Sequence, residues 1–581
     1  MKTVSIILTL AIVTLSLVGC EELGDITDLE VPNENDPDRE RVLAEAEEVE
    51  KLIGGAFLIW LQHTHHAYPA WPLSGYPAMP LATAADEMSF AWGNWGALDT
   101  DTEPREAWDN SSTYGYSRVT QLPWHGNYVA LSSVYDGLLK IQRDSLDMSD
   151  QIDVDRATAF SKFIQGLAHG YLALMFDSAW VLDETVDIEV DTLVRVPYPE
   201  VLDAALGYFD DAIALASGAS WSLDQEWISG NAFTSTEFIG LIHGFKARYM
   251  TQVARTPEER RALNWTAIIE QVDQNLGRDF WVEGNDFWDG QWGHAAQYFG
   301  NASGRTWGRA DYKQIGYADT SGNYESWLRS PLIDRKEFVI HTPDARIRGD
   351  ANDSTMAGTD FRFQLPDWDR ERGSYRFSYY AHIRYSAYSD AGGSAPFKLM
   401  SDTVQQLIKA EGLYYTNDRD GAAAIVNMTR VGRGNLTPTS GSDPDLLAKL
   451  RYEVNIENHN VCSGCAFFNR RGWGPLVSTQ GNPPGTHHWG PVEGTPLHYP
   501  MPAIELEVLR QTVYTYGGVG NEGEALGLSA ASPASTPRRG GVPAWLVYRF
   551  DGFDTVAEKL EYIRTQVTRG PMRGALQLVR H

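Results

Sequence analysis

The chain has 581 residues, long enough for several hydrophobic cores, and 43 % of them are hydrophobic. Its 77 acidic side chains outnumber the 48 basic ones, for a formal charge of −29, which argues against nucleic acid or an anionic membrane surface as a partner. Aromatic residues make up 12 % and include 19 tryptophans, more than a helical core needs, so stacking platforms for ring-shaped ligands and buried packing both stand open as their use.

The N-terminus carries Lys2, an apolar run from Val4 to Val18, and then Leu17, Val18, Gly19 and Cys20. A positive start, an apolar segment too short for a comfortable membrane span and a small residue before cysteine form the pattern of a bacterial lipoprotein signal. Residues 1–19 are therefore expected to be removed, leaving Cys20 as the lipidated N-terminus. Acyl chains bind a bilayer with ~0.8 kcal/mol per buried CH₂, and more than one chain makes the anchoring durable. Residues 20–45 are acidic and polar, with the turn-rich run Leu29 to Pro37 (LEVPNENDP), and read as a tether.

From residue 46 onward a single domain of mainly α character is expected. Val42 to Leu61 has helical periodicity. Between His63 and Trp124 the period disappears while Trp71, Trp92, Trp95, Trp108 and Trp124 accumulate among Gly, Pro, Asn and Asp, a loop-rich stretch of the kind that usually carries function. Helix resumes at about Asn127 to Gln142. In Asp155 to Trp180 the large residues Phe160, Phe163, Ile164, Leu167, Tyr171, Leu174 and Met175 form one stripe, while Ala159, Gly166, Gly170 and Ala173 form a small face. Glycine inside a helix costs up to ~1 kcal/mol, so the small face predicts the close approach of another backbone. The same mixture returns in Thr236 to Val253, and Tyr198 to Ala216 and Asn264 to Leu276 are helical too. These segments predict stacked helical hairpins.

Phe280 to Tyr317 is a second aperiodic, aromatic-rich stretch with Trp281, Trp288, Trp292 and Trp307, and it opens a loop-rich, partly β lobe over about 277–401. Helices return at Asp402 to Tyr415 and Ala422 to Val431. The scaffold thus covers about 46–276 and 402–515, with an irregular segment over 516–581 that ends in a helix at Thr555 to Thr568. Cys462 and Cys465, in an exported chain, read first as a local disulfide. Metal binding with His459, or with His487 and His488, is the weaker alternative, and a redox role lacks its βαβ context.

Several motifs in order resemble SusD/RagB-type nutrient-binding outer-membrane lipoproteins. They are Val31-Pro-Asn-Glu-Asn-Asp; Ile408-Lys-Ala-Glu411-Gly followed by Asn417-Asp, Gly421-Ala-Ala, Asn427, Arg430 and Arg433-Gly434; Leu450-Arg-Tyr-Glu453 with Glu457; and Leu497-His-Tyr-Pro500-Met-Pro502 with Glu505-Leu506. Two departures stand out: Phe176 to Trp180 replaces a Gly and Pro turn, and a Cys-Ser-Gly-Cys insertion ending in Arg470-Arg-Gly-Trp473 replaces the pattern after Glu457. The resemblance implies a tetratricopeptide-like scaffold on the outer membrane, facing the exterior, that docks on a TonB-dependent transporter and holds a glycan or other nutrient, with no cofactor and no catalysis.

Sugars offer apolar C–H faces and many hydroxyls, so their binders combine aromatic plates with Asp, Asn and Arg. Asp86, Trp92, Asn94 and Trp95 supply that mixture within ten residues. Trp288, Trp292, Tyr298 and Trp307, with Asn301 and Arg305, are a second set. Sharper chemistry is weaker: His63, His65 and His66 lack a completing ligand for a metal, and the acids of Asp99 to Glu103 and Asp367 to Asp369 lack the glycine and closing Glu of a calcium loop. The sequence shows no nucleophile elbow, phosphate loop or zinc-protease motif. A lipoprotein glycoside hydrolase and a purely structural helical adaptor are the alternative readings.

Overall fold

The structure, a computed structural model, describes residues 43, 45–66, 77–90, 96–148, 150–187, 190–283, 308–350, 353–364, 378–387, 395–476 and 489–528. Cys20, Trp92, Asn94, Trp95, Trp288, Trp292, Tyr298, Asn301, Arg305, Trp307 and the expected helix at Thr555 to Thr568 lie outside the described residues.

The predicted first helix is two, α1 (Ala46–Gly54) and α2 (Ala56–Leu61), continued by a π-helical turn over Gln62–His66. The stretch expected to be loop holds α3 (Ala78–Ala84), β1 (Met88–Phe90) and α4 (Ala97–Asp101). Helix α5 (Arg118–Gln142) starts nine residues before the expected Asn127, with Pro123 inside it. Proline removes one helical hydrogen bond there. Tertiary packing compensates, because Trp124 is fully buried against Phe176 at 4.9 Å and Trp180 at 5.8 Å.

Next come α6 (Gln151–Met175), β2 (Ser178–Trp180), β3 (Arg195–Pro197), α7 (Tyr198–Ala216), α8 (Ser235–Gln252), α9 (Pro257–Ala262) and α10 (Trp265–Asp273). Local signals fix their starts. Asp150 caps α6 by accepting from the Ile152 amide at 3.1 Å, and Thr234 and Glu237 form a reciprocal capping box on α8. Helix α6 packs on α5 and α7, and α8 packs on α7, α6 and α10. A Cβ built on Gly166 would strike the Phe209 ring, and one on Gly170 the Tyr249 ring. The small face of α6 therefore receives aromatic side chains from α7 and α8 rather than a backbone. On α8 a backbone does come close, since a Cβ on Gly240 would lie 3.0 Å from Leu276 Cα.

The lobe contains β4 (Phe280–Val282), β5 (Gly308–Ala310), α11 (Tyr312–Ile315), α12 (Asn323–Arg329), β6 (Arg348–Asp350), β7 (Asp353–Ala357), β8 (Phe361–Phe363), β9 (Tyr380–His382) and β10 (Phe397–Met400). It is followed by α13 (Asp402–Tyr415), α14 (Arg419–Arg430), α15 (Leu446–Glu457), α16 (Cys465–Arg471), α17 (Ala503–Val508), β11 (Tyr514–Thr515) and β12 (Leu526–Gly527). The strands form separate two-stranded antiparallel ribbons. The result is mainly α, a tetratricopeptide-like stack of helical hairpins with a lobe of short ribbons. That lobe is not simply laid over the stack. Tyr312, Trp327, Phe361 and Tyr380 share one core with Leu407, Val426, Leu450 and Trp489, so the lobe and α13 to α15 bury their apolar faces together.

Buried arginines close helix ends. Arg255 donates to the carbonyls of Ala173 and Phe176 at 2.8 Å each, at the end of α6, and Arg471 donates to the Gln252 carbonyl at 3.0 Å, at the end of α8. A cation there satisfies orphan carbonyls and meets the negative end of the helix dipole. Burial pulls the Arg255 pKa down to about 10, which still leaves it charged at neutral pH.

Candidate functional site

The two tryptophan-rich segments are far apart in sequence, yet the fold sets the start of the first beside the end of the second. The chain runs from β1 into residues 91–95 and returns from residues 284–307 into β5. These strands pair antiparallel, with Met88 opposite Ala310, Ser89 opposite Arg309 and Phe90 opposite Gly308. Phe90 and Gly308 are thus register partners at the end of the ribbon where the first segment leaves and the second arrives. The Asp311 amide extends the pairing by donating to the Glu87 carbonyl at 3.0 Å.

A buried ionic cluster underlies this ribbon. Asp86, with a φ of +54° and no exposure, accepts from Arg105 Nη2 at 2.8 Å, from Lys313 Nζ and from the Val492 amide at 3.1 Å. Lys313 also faces Glu103 at 3.3 Å and Asp311 at 3.5 Å, and Glu103 in turn holds Arg335 at 2.8 Å. Carboxylate oxygens of Asp86, Asp101 and Asp311 lie within 4.8 Å of one another; the cations set among them are Lys313 and Arg105. Arg470 joins the cluster to the rest by donating to the carbonyls of Trp489 at 2.9 Å, Asp86 at 3.2 Å and Gly490 at 3.2 Å. Asp86, expected to contact ligand, is instead taken up inside the protein, where it holds β1 against α11. No local feature of the sequence links Asp86 to Lys313, 227 residues away.

Behind β1, Glu87 is fully buried, and desolvation raises its pKa to about 7. His459 stands 3.8 Å from it and 4.6 Å from the His382 ring. Burial pushes His459 down to about 3 and His382 well below the ordinary value, so both imidazoles are neutral.

Other expected groups are accounted for locally. His63 meets the Ile59 carbonyl at 2.8 Å, and His65 meets Thr64 Oγ1 at 2.7 Å with its ring against Trp60. Asp99 accepts from the Tyr114 hydroxyl. Trp108 and Trp124 are core residues, 4 % and 0 % exposed. Cys462 and Cys465 are disulfide-bonded with Cα atoms 5.4 Å apart, at the start of α16. Trp281 differs from the buried tryptophans. It lies on β4, just before residues 284–307, is 39 % exposed, and has Lys398 Nζ 5.2 Å from its ring centroid. Sequence reasoning placed it in the right stretch but not among the candidate contacts.

No family model matches the chain, and no curated protein does. Among solved structures it is similar to a SusD superfamily protein from Bacteroides fragilis, with 12 % identity, 81 % of this chain and 99 % of that one covered, and a TM-score of 0.49. It is also similar to a SusD-like carbohydrate binding protein from Bacteroides vulgatus (14 % identity, 74 % and 83 % covered, TM-score 0.48). A SusD superfamily protein from the same organism gives 14 % identity, 80 % and 97 % covered, and a TM-score of 0.47. All three are described as SusD-like or SusD superfamily proteins.

The motifs that carry the SusD-like resemblance in the sequence have structural work in this fold. Glu411 of α13 binds Arg260 through both oxygens, at 3.1 and 2.6 Å. Asp418 caps α14, and Asn427 exchanges two 2.9 Å hydrogen bonds with Thr439. Glu453 and Glu457 of α15 enclose Arg346 together with Asp344, and Glu457 also binds Arg433. Glu505 of α17 meets His125 at 2.7 Å. These residues tie helices and lobe together.

Proposed function

We propose that this chain is a lipid-anchored glycan-binding protein of the bacterial outer membrane that captures an oligosaccharide and passes it to a TonB-dependent transporter. The observation that carries the reading is the β1–β5 pairing, at one end of which the segment with Trp92, Asn94 and Trp95 leaves and the segment with Trp288, Trp292, Tyr298, Asn301, Arg305 and Trp307 arrives. Aromatic plates and amide or guanidinium donors drawn from both segments suit the apolar faces and hydroxyls of sugars. Trp281 extends the aromatic surface at the entry to the second segment, and Asp86 with Lys313 positions the ribbon. Among the described residues no helix is long and apolar enough to cross a membrane, and Cys20 supplies the anchor.

The test uses chain with Cys20 replaced, titrated with an oligosaccharide panel while tryptophan fluorescence and reducing ends are both followed. Trp92→Ala, Trp95→Ala or Trp281→Ala should each weaken binding by roughly 2- to 12-fold, the equivalent of ~0.5–1.5 kcal/mol of aromatic contact, with little change in melting temperature. Affinity that survives all three substitutions, or new reducing ends, would overturn the reading. For the transporter, the two proteins should co-purify from outer membranes in mild detergent.

A further inference from the structure

Strand β4 alternates. Phe280 and Val282 are fully buried, Phe280 with its ring 5.7 Å from Phe233, and Trp281 between them is 39 % exposed. The pleat sends successive side chains to opposite faces, so the two buried neighbours turn the indole outward. One exposed aromatic ring is ordinary on a protein surface; the grip on its backbone is less so. Strand β4 pairs with β10, where Lys398 stands opposite Trp281. The connection between α7 and α8 takes hold of β4 as well. Asn231 Nδ2 donates to the Trp281 carbonyl at 2.9 Å, and Ser229 Oγ accepts from the Glu283 amide at 2.7 Å, so backbone groups at Trp281 and two residues beyond it are held by one turn. That turn is strained and anchored. Ser229 is buried with a φ of +43°, a left-handed conformation that costs a serine energy, and Gly230 follows at +82°. Just before them Trp227 and Ile228 are buried in the scaffold core, the Trp227 ring 5.0 Å from Phe160 of α6. Strain of this kind persists only where the surrounding structure holds it, and it gathers at functional sites.

We infer that the turn over 228–231 is a positioning element of the glycan site, and that Asn231 and Ser229 hold Trp281 out as a stacking platform for a sugar ring. The ligand half of this rests on the glycan-binding reading above; the positioning half rests on the turn and β4 alone. The side chain is framed as firmly as its backbone. Lys398 Nζ stands over the indole, 5.2 Å from the ring centroid, and is itself held by Asp279 at 2.7 Å, while the Tyr385 ring meets the indole edge to face at 6.3 Å. Asp279 also accepts from the Asp402 amide at 2.9 Å, at the start of α13, so the frame is tied to the helical scaffold on both sides of β4. A plate fixed before the sugar arrives loses little freedom on binding, and its contact with the apolar face of the ring is correspondingly more effective.

The test uses the full chain, Cys20 replaced, labelled with 5-fluorotryptophan and followed by fluorine NMR, with the Trp281 resonance assigned by its loss in Trp281→Phe. Asn231→Ala should move or broaden that resonance. It should also weaken the tightest-binding member of the oligosaccharide panel by no more than Trp281→Ala does, roughly 2- to 12-fold. The Asn231→Ala/Trp281→Ala double variant should bind no more weakly than Trp281→Ala alone, because both substitutions remove the same contact. Asn231→Asp keeps the shape and removes the amide donors, and it serves if Asn231→Ala lowers the melting temperature. An unmoved Trp281 resonance in both Asn231 variants, or losses of affinity that add in the double variant, would overturn the positioning role. Trp281→Ala without effect on affinity, while Trp92→Ala or Trp95→Ala weakens it, would overturn the proposal and leave the ribbon site standing. Silence of the whole panel would overturn the platform role together with the glycan-binding reading, even where the resonance moves.

Discussion

Replacing Lys313 by methionine keeps the length of the side chain and removes its charge from a place with no solvent. The ammonium contacts Asp86, Glu103 and Asp311, and Lys313 and Asp86 are both 0 % exposed. After the substitution, Arg105 and Arg335 are left to face Asp86, Asp101, Glu103 and Asp311. Removing one partner of a buried ion pair costs ~3–5 kcal/mol. The loss has a ceiling, because the cluster can take up a proton instead. At pH 7, protonating one carboxylate of ordinary aspartate affinity, near 3.9, costs about 4 kcal/mol at ~1.36 kcal/mol per unit. At pH 5 the same ceiling is about 1.5 kcal/mol. Urea unfolding followed by tryptophan fluorescence should therefore show Lys313→Met destabilised by about 3–4 kcal/mol at pH 7 and by about 1.5 kcal/mol at pH 5. A loss under about 1 kcal/mol at pH 7 would show that the ammonium is not compensating these carboxylates. A loss that does not change with pH would place the defect in packing rather than in charge.

Two glycines in neighbouring helices should respond in opposite directions to alanine. At Gly207 of α7 a new Cβ meets nothing within 4 Å, so Gly207→Ala should raise the melting temperature through up to ~1 kcal/mol of helix propensity. At Gly170 of α6 the same Cβ strikes the buried Tyr249 ring, and overpacking of ~1–3 kcal/mol should outweigh that gain; stabilisation at both sites would contradict the packing described. His169 provides a pH dependence. Its Nδ1 donates to the Gln165 carbonyl at 2.8 Å, its Nε2 accepts from the Leu182 amide at 3.1 Å, and burial lowers its pKa to about 4. The unfolded chain, near 6.5, takes the proton first on acidification, so this stability is fully present above pH 6.5 and is lost as pH falls towards 4. The loss should amount to about 3 kcal/mol. A His169→Gln variant should show a flatter acid limb in urea unfolding, and an unchanged slope would rule this histidine out as a source.

The sequence by itself determined the elements whose hydrogen bonds close locally. The expected bounds of α7 and α13 coincide with the observed ones and those of α8 agree within one residue, because period, caps and turns act within one or two turns of chain; α6 instead starts at Gln151 and ends at Met175, and strand β2 takes the residues expected to finish it. The expectation of export and lipidation likewise rests on a linear signal ending at Cys20. Helix α5 was legible only from Asn127 onward, since Pro123 speaks against helix locally and the burial of Trp124 that overrides it comes from Phe176 and Trp180. The small face of α6 announced a close approach without naming the partner; only the stacking of α7 and α8 shows that Phe209 and Tyr249 fill it. Asp86 looked like a ligand group because tryptophans follow it. Its real neighbours, Arg105 and Lys313, are brought in by the ribbon and by α11. The tertiary structure decided which distant charges became partners and which distant stretches of chain pair in the β1–β5 ribbon. A buried carboxylate is stable only where a cation can be brought to it, and that placement is a property of the assembled chain rather than of any one segment.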